Sequence, residues 1–367
     1  MLKNSINKGV FEDYTNHHNP RVGGSNPSSA TIPSDTIAQA NEIRGLNVLA
    51  TAAAHLMCRL CGGPAAETLS VPEMMYGSGE RFDYFTCADC GCLQIAEIPS
   101  DLGRHYPAQY YSLAPAGGHR MSWRRRLAAR WEAVRQGGPL GWLCAALKPN
   151  LELRMLREIG IAPDDAILDV GCGRGDRVKM LAEAGFRRAE GIDAFLAAEV
   201  MFAGRVIARP GRIEDVAGPY RLVMFHHSLE HMPDQQAVLA RARQLIGDKG
   251  RIMIRVPTCS SAAWREYREN WVQLDAPRHL YLHSRESLRR LAAQHGLCVE
   301  RMDDDSGSFQ FWGSEQYRRG IALTDPRGHG KAQRLFDRAE MKAFARRAEA
   351  LNREGEGDQV SLVLAPQ

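Results

Sequence analysis

Long apolar runs are missing from this 367-residue sequence, and none approaches the roughly 20 residues that a membrane-spanning helix needs. The N-terminal stretch also lacks the basic segment and apolar core of a secretory signal peptide. An excess of one charge is missing too, because the formal net charge is only +4 and does not favour a nucleic-acid partner. These absences predict a cytoplasmic protein that reaches a membrane, if at all, at its inner face.

The number of cysteines is nine, and an odd number does not suit a disulfide framework in which every cysteine is paired. Four of them form two Cys-x-x-Cys pairs, Cys58/Cys61 and Cys87/Cys90, each followed by glycine. The pattern resembles a zinc ribbon over residues 57–105, in which the four thiolates would hold a structural Zn²⁺ in a closed tetrahedral site. Two buried cysteine pairs without a metal are the alternative interpretation.

Residues 1–56 are polar and show no hydrophobic periodicity, so we expect them to be disordered. The segment NPRVGGSNPSSATIP within them resembles a peptide translated from the 3′ part of a bacterial tRNA gene. This resemblance suggests a start site assigned too far upstream, with Met57 as the natural initiator.

Residues 106–150 read as a linker that contains one basic amphipathic helix, predicted over 121–135. Its apolar stripe holds Trp123, Leu127, Trp131 and Val134. Basic helices edged by tryptophan can lie on anionic membranes, which predicts a possible peripheral membrane contact. Docking of the stripe on the protein itself is the alternative. Gly137-Gly138-Pro139 is expected to break the chain after this helix.

The stretch 166–193 has the pattern of a strand, a glycine loop, a helix and a second strand. It lacks the G-x-G-x-x-G spacing of dinucleotide-binding folds and instead places an acid before three alternating glycines: Asp169, Gly171, Gly173 and Gly175. An acid at that position suits a ligand that carries an ammonium group. Asp193, at the end of the second strand, is placed to accept hydrogen bonds from ribose hydroxyls. Chance glycines in an α/β turn without a ligand are the alternative.

These residues resemble motif I of class I S-adenosylmethionine-dependent methyltransferases. The resemblance implies an α/β, Rossmann-like domain with a seven-stranded sheet over residues 151–367, with substrate-binding insertions near 258–283 and 304–358. It also implies S-adenosylmethionine as the cofactor. The residues that it assigns to cofactor binding are Asp169, Gly171, Cys172, Gly173, Gly175, Asp193, Ala194, Ile213, Glu214 and His226.

Two further segments are candidates for acceptor binding and catalysis. The segment after the predicted fourth strand, His226–Asp234, resembles the Leu-Glu-His signature of small-molecule methyltransferases and offers His227, Glu230 and His231. On a helix Glu230 and His231 would diverge by about 100°, whereas His227 and His231 could point into one site. Helix capping and packing on the sheet are the alternative for Glu230 and His231.

The second segment ends in a D-x-P-R-H-L stretch, similar to one found in methyltransferases of cell-surface sugars and secondary metabolites. It offers Trp271, Asp275 and Arg278 for the substrate, with Arg278 steering an anionic acceptor. His279 is the first candidate for a general base. The alternative is that Asp275, Arg278 and His279 only hold this loop against the protein core.

The combination of a ribbon with this domain predicts methyl transfer to a small-molecule or glycan acceptor. We expect O-methylation in cell-surface polysaccharide or secondary-metabolite biosynthesis, because Met232-Pro-Asp234 departs from the pattern of deoxysugar C-methyltransferases. An RNA methyltransferase that uses the ribbon to hold RNA is one alternative. A catalytically inactive protein that binds S-adenosylmethionine is the other. The sequence predicts no oligomeric state.

Overall fold

The computed structural model describes residues 56–107, 121–328 and 335–367. Two predictions concern the N-terminal leader: its disorder and a start site assigned too far upstream. Residues 1–55 of that leader lie outside the described residues. Among the helices that the structure describes, none is both long enough and apolar enough to cross a membrane.

A small antiparallel sheet begins the described chain. Its strands are β1 (Ala65–Pro72), β2 (Arg81–Cys87) and β3 (Leu93–Ile95). The fourth strand, β10 (Tyr281–Leu282), comes from much later in the chain and pairs antiparallel with β3. The small sheet is therefore completed by a segment of the larger domain.

A helical hairpin follows, made of α1 (Trp123–Val134) and α2 (Gly138–Leu147). The Ser122 hydroxyl caps α1 by accepting from the Arg125 amide. The predicted break after α1 is present, because α1 ends at Val134 and Gly137 adopts a left-handed φ of 109°. Pro139 then occupies the first turn of α2, where its missing amide proton costs nothing. Of the predicted apolar stripe, Leu127, Trp131 and Val134 are partly buried, whereas Trp123 is 52% exposed, and alanines form most of the fully buried face of α1.

The second sheet has eight strands, of which the central ones form a continuous apolar core. In chain order these are β4 (Ala166–Val170), β5 (Arg188–Asp193), β6 (Val200–Phe202), β7 (Arg205–Pro210), β8 (Leu222–His226), β9 (Arg251–Pro257), β11 (Leu297–Asp304) and β12 (Gln359–Pro366). The spatial order is β11-β12-β9-β8-β4-β5-β7-β6.

Parallel pairing joins β7, β5, β4, β8 and β9, whereas β12 lies antiparallel between β9 and β11. The predicted α/β, Rossmann-like fold class is confirmed. The structure adds β6, a short edge strand that forms a hairpin with β7. Central strands buried on both faces explain the runs of consecutive apolar residues in the sequence.

Four helices connect the strands: α3 (Leu151–Glu158), α4 (Asp176–Ala184), α5 (Gln235–Ile246) and α7 (Arg285–Gln294). Side chains cap two of these helices, since Asp234 accepts from the Ala237 amide and Ser284 accepts from the Ser287 amide. Gly185 ends α4 in the left-handed conformation.

The two expected insertions carry the remaining helices. The first holds α6 (Ala262–Tyr267) and two 3₁₀ turns, Arg268–Asn270 and Val272–Leu274. The second holds α8 (Phe309–Arg318) and α9 (Arg338–Glu354).

Candidate functional site

The glycine loop lies at the carboxyl end of β4, between the loops that follow β5 and β8. Gly171, Gly173 and Gly175 all have positive φ, at 74°, 51° and 77°. A Cβ on Gly171 would lie 2.5 Å from the Ser228 Cβ, so glycine here allows two loops of the protein to meet. The Ser228 hydroxyl donates to the Val170 carbonyl over 2.6 Å and closes this contact.

Asp193 holds the glycine loop in place. Its Oδ2 accepts from the Gly173 amide and its Oδ1 from the Phe195 amide, each over 2.8 Å. Each carboxylate oxygen has a second lone pair, so the group can still accept from a ligand hydroxyl. Ala194 continues the same turn after β5.

Asp169 lies on β4, two residues before the first loop glycine, and is almost completely buried. Its Oδ1 has no hydrogen-bond partner in the described part of the chain. Burial raises the pKa of this carboxyl to about 7. A buried, unpartnered acid oxygen costs free energy, and a bound ammonium group would remove that cost. The residues around the loop therefore fit S-adenosylmethionine.

The other cofactor candidates are spread around the same edge of the sheet. Cys172 packs against Gly191, where a Cβ would lie 2.6 Å from its sulfur. Ile213 is buried and Glu214 is exposed in a 3₁₀ turn that follows β7. His226 ends β8, and its Nε2 lies 2.6 Å from Arg177 and 3.1 Å from Arg255.

Burial, reinforced by these two arginines, lowers the pKa of His226 well below its usual value. The ring therefore accepts from guanidinium groups. Sequence reasoning missed both arginines; the only signal was the cationic Arg177 in the first turn of α4, where the helix dipole disfavours it.

Glu230, His231 and His279 come together beside the glycine loop. One ligand atom from each side chain lies within 4.8 Å of the others. The expectation that Glu230 and His231 diverge is wrong, because Leu229–His231 is a single 3₁₀ turn and not part of an α-helix. Nitrogen and oxygen ligands at this spacing are also a set that can hold a divalent ion.

Backbone carbonyls orient both imidazoles. His231 Nδ1 lies 2.8 Å from the Arg278 carbonyl, and His279 Nδ1 lies 2.6 Å from the Gln273 carbonyl. A carbonyl can only accept, so both rings carry their proton on Nδ1 and present an unprotonated Nε2. Burial lowers the pKa of His231 to about 3 and also lowers that of His279. Both rings are therefore neutral near pH 7.

Tyr106 also belongs to this cluster. Its hydroxyl lies 3.2 Å from His231 Nδ1, and its ring stacks on Phe195 at 5.4 Å between centroids. Phe195 directly follows the turn held by Asp193, so this stack links the histidine cluster to the cofactor candidates.

Glu230 is fully buried, and neither carboxylate oxygen has a hydrogen-bond partner among the described residues. Burial raises its pKa to about 8. His227 Nδ1 approaches Glu230 Oε1 to 3.3 Å, outside hydrogen-bond geometry. Arg255 contacts His227 Nε2 at 2.9 Å and holds the ring there.

The residues expected to bind the acceptor, Trp271, Asp275 and Arg278, take part in hydrogen bonds within the protein. Arg278 is fully buried, and its guanidinium bonds Glu73 at 2.8 Å, Asp275 at 2.7 Å and the His105 carbonyl at 3.2 Å. Trp271 is also buried and donates to Asp358 over 3.1 Å. The expectation that Arg278 steers an acceptor is wrong in this arrangement, because its donors are occupied by the ribbon and its own loop.

The four paired cysteines converge in the ribbon. Cys58 and Cys90 sulfurs are 3.7 Å apart, and those of Cys61 and Cys87 are 3.5 Å apart. A tetrahedral ion with Zn–S bonds of ~2.3 Å places its sulfurs about 3.8 Å apart, so the four residues fit Zn²⁺. Backbone amides of Leu60 and Asp89 point at the cysteine sulfurs over 3.4 Å, as expected for metal knuckles.

Comparison with known families matches residues 143–301 to a methyltransferase domain. Comparison with curated proteins gives no match. Among solved structures, the chain is similar to an S-adenosylmethionine-dependent methyltransferase from Archaeoglobus fulgidus, with 18% identity, a TM-score of 0.37, and coverage of 59% of this chain and 93% of that one.

Two further structures have comparable similarity. A magnesium protoporphyrin IX methyltransferase from Synechocystis, with bound S-adenosylhomocysteine, has 16% identity, a TM-score of 0.35, and coverage of 56% and 86%. A cyclopropane synthase from Mycobacterium tuberculosis has 17% identity, a TM-score of 0.37, and coverage of 59% and 86%. The assignment depends on the domain match and on the strand order described above. Residues 143–301 of the chain match the model of a methyltransferase domain, and they include the central parallel strands of the large sheet.

Proposed function

We propose that the glycine loop, Asp169 and Asp193 bind S-adenosylmethionine, with Ile213 and Glu214 at its adenine. Supporting this are the unpartnered Asp169 oxygen, which suits the ammonium group, and the spare lone pairs of Asp193, which suit ribose hydroxyls. The bound cofactor supplies an activated methyl group. The protein must then mainly hold the acceptor in line, and positioning of this kind can contribute ~7–11 kcal/mol.

The acceptor that we propose is a hydroxyl of a small molecule or glycan, in cell-surface polysaccharide or secondary-metabolite biosynthesis. The observation that carries this proposal is the cluster of Glu230, His231 and His279 beside the glycine loop. An alcohol is a weak nucleophile until it loses its proton, so O-methylation benefits from a base at this position. His279 Nε2 takes that proton, because its Nδ1 is committed to the Gln273 carbonyl.

The proposal extends to the ribbon, where Cys58, Cys61, Cys87 and Cys90 bind a structural Zn²⁺. The sulfur spacing and the amides that point at the sulfurs support this. Four thiolates leave no open position on the ion, so the metal stabilises the fold and takes no part in methyl transfer.

The test is product analysis with S-adenosylmethionine labelled at the methyl group. Extracts from a strain that lacks the protein supply glycans, lipids, small hydroxylated metabolites and RNA as separate acceptor pools. We expect label in the glycan or small-molecule pool, as an ether that survives mild base. Label in RNA alone would contradict the acceptor class, and absence of label from every pool would favour an inactive binder.

His279→Ala should lower kcat by roughly 100-fold, the usual scale for loss of a general base, while the donor Kd stays near wild type. His295→Ala is the matched control, because this partly buried histidine contacts Gln236 and is not a member of the Glu230–His231–His279 cluster. Full turnover in the His279→Ala enzyme would assign the proton to another group or show that no base is needed.

A further inference from the structure

Helix α2 directs its large apolar side chains away from the protein. Its buried residues are the smallest ones, Gly141 and Ala145. Its large residues are about half-exposed or more, with exposed fractions of 48–67% for Leu140, Trp142, Leu143 and Leu147. An ordinary surface helix shows the opposite arrangement, since its large apolar residues face the core.

Close packing against α1 fixes this outward orientation. A Cβ on Gly141 would lie 3.4 Å from both the Leu127 carbonyl and the Trp131 Cβ of α1, so the two helices pack tightly at this point. At 100° per residue, the exposed apolar side chains cover an arc of about 160° on the side opposite Gly141 and Ala145. The apolar arc is therefore held towards the surroundings and not turned inward.

The exposed charges of the hairpin itself are all positive. Residues 121–148 contain six basic residues and one acid, Glu132. Glu132 is buried and bonds Arg154 over 2.7 Å, so it offers nothing at the surface. The half-exposed Trp123 carries the Arg124 guanidinium 5.1 Å from its ring, which joins an apolar body to a cationic head.

We propose that the hairpin α1–α2 docks on an anionic membrane surface, with the leucines of α2 entering the boundary of headgroups and acyl chains. An arc of leucine and tryptophan edged by arginine is the composition of helices that lie in this interface. The occupant is a membrane and not a second copy of this chain, because a two-fold contact would bring the arginines of both copies together. Nucleic acid offers phosphates to the arginines but no apolar surface to the leucines.

Docking would hold the methyltransferase domain next to acceptors that are themselves attached to lipid. This inference goes beyond the proposed function and does not depend on it, since vesicle binding is measured without methyl transfer.

The test is co-sedimentation of the full chain with phosphatidylcholine vesicles that contain, or lack, 30% phosphatidylglycerol. We expect binding to the anionic vesicles that weakens as salt is added. Leu143→Gln with Leu147→Gln should lower the partition coefficient about tenfold or more, because two buried leucines are lost. Replacement of Arg124 and Arg125 by glutamine should lower it about fivefold per residue.

Met201→Gln is the matched control, because Met201 is a similarly exposed apolar residue, 59% exposed, on the edge strand β6. It should leave vesicle binding unchanged. Equal binding by the double leucine variant, or no binding of wild type to anionic vesicles, would overturn the proposal. So would a dimer that the leucine substitutions convert to a monomer, or binding to RNA in place of vesicles.

Discussion

Because Asp169 is buried, its protonation should affect both the stability of the protein and the binding of the methyl donor. Its pKa is raised to about 7 by burial, whereas the same carboxyl in the unfolded chain ionises near pH 4. Between these values the folded protein binds more protons than the unfolded chain. The free energy of unfolding of the donor-free protein therefore falls as pH rises from about 4 to about 7, by at most ~1.4 kcal/mol per pH unit from this group.

Asp169→Asn cannot ionise, so it should flatten this part of the stability profile. Its donor affinity should also be nearly independent of pH, whereas that of wild type should rise through pH 7 as the carboxylate forms and pairs with the ammonium group. Denaturant melts and calorimetry at several pH values measure both effects. Identical profiles for the two proteins would show that Asp169 stays ionised or faces no ligand charge.

Asp193 should affect the donor more directly. Asp193→Ala removes the hydrogen bonds from the Gly173 amide of the glycine loop and from the Phe195 amide, together with the acceptor for ribose hydroxyls. Bonds to charged groups contribute ~1.5–3 kcal/mol, so we expect the donor Kd to rise by roughly tenfold to a hundredfold. The control is Asp248→Ala, because the Asp248 side chain is 93% exposed. A folded Asp193→Ala variant that binds the donor as tightly as wild type would exclude this assignment.

At the scale of elements, the four-cysteine cluster should make the ribbon depend on metal. Elemental analysis should find about one zinc per chain, and Cys87→Ser should lower that content. Cys92→Ser is the control, since Cys92 is buried next to the cluster but hydrogen-bonds the Leu93 and Leu282 carbonyls. Such sites contribute on the order of 10 kcal/mol to a small domain, so chelation should unfold the ribbon. Freshly purified protein without stoichiometric metal would disprove the site.

Elements formed from neighbouring residues were predictable from the sequence. The unit β4–α4–β5 is contiguous, and its apolar periodicity, glycines and caps are all local signals. Helix α2 was missed because its buried residues are glycine and alanine, so no amphipathic pattern marks it. Strand β10 is two residues long and depends on a distant partner.

The same distinction applies to the site. The glycine loop and Asp193 lie within one stretch of sequence. The ion pair between Arg278 and Glu73 joins residues 205 positions apart, and a single sequence carries no signal for that contact. The close approach of Gly171 to Ser228 is likewise a contact between distant positions that a single sequence does not reveal.

At the scale of the whole molecule, Arg278 fastens the ribbon to the methyltransferase domain. Removing one partner of a buried, hydrogen-bonded ion pair leaves the other charge buried, at a cost of ~3–5 kcal/mol. We expect Arg278→Met to lower the free energy of unfolding by about that amount in denaturant melts. Arg290→Met is the control, because its pair with Glu286 is exposed. Equal losses in the two variants would show that the buried pair does not join the two parts.

Strand β10 has a consequence for the order in which the newly made chain folds. All four cysteines have been synthesised once residue 90 is added, so the ribbon can bind its metal early. The strand that covers its β3 edge follows about 190 residues later, roughly 10–40 s at common rates of synthesis. During that interval the nascent ribbon presents an open strand edge, a known starting point for aggregation. We expect chains truncated before Tyr281 to keep their metal and lose their solubility.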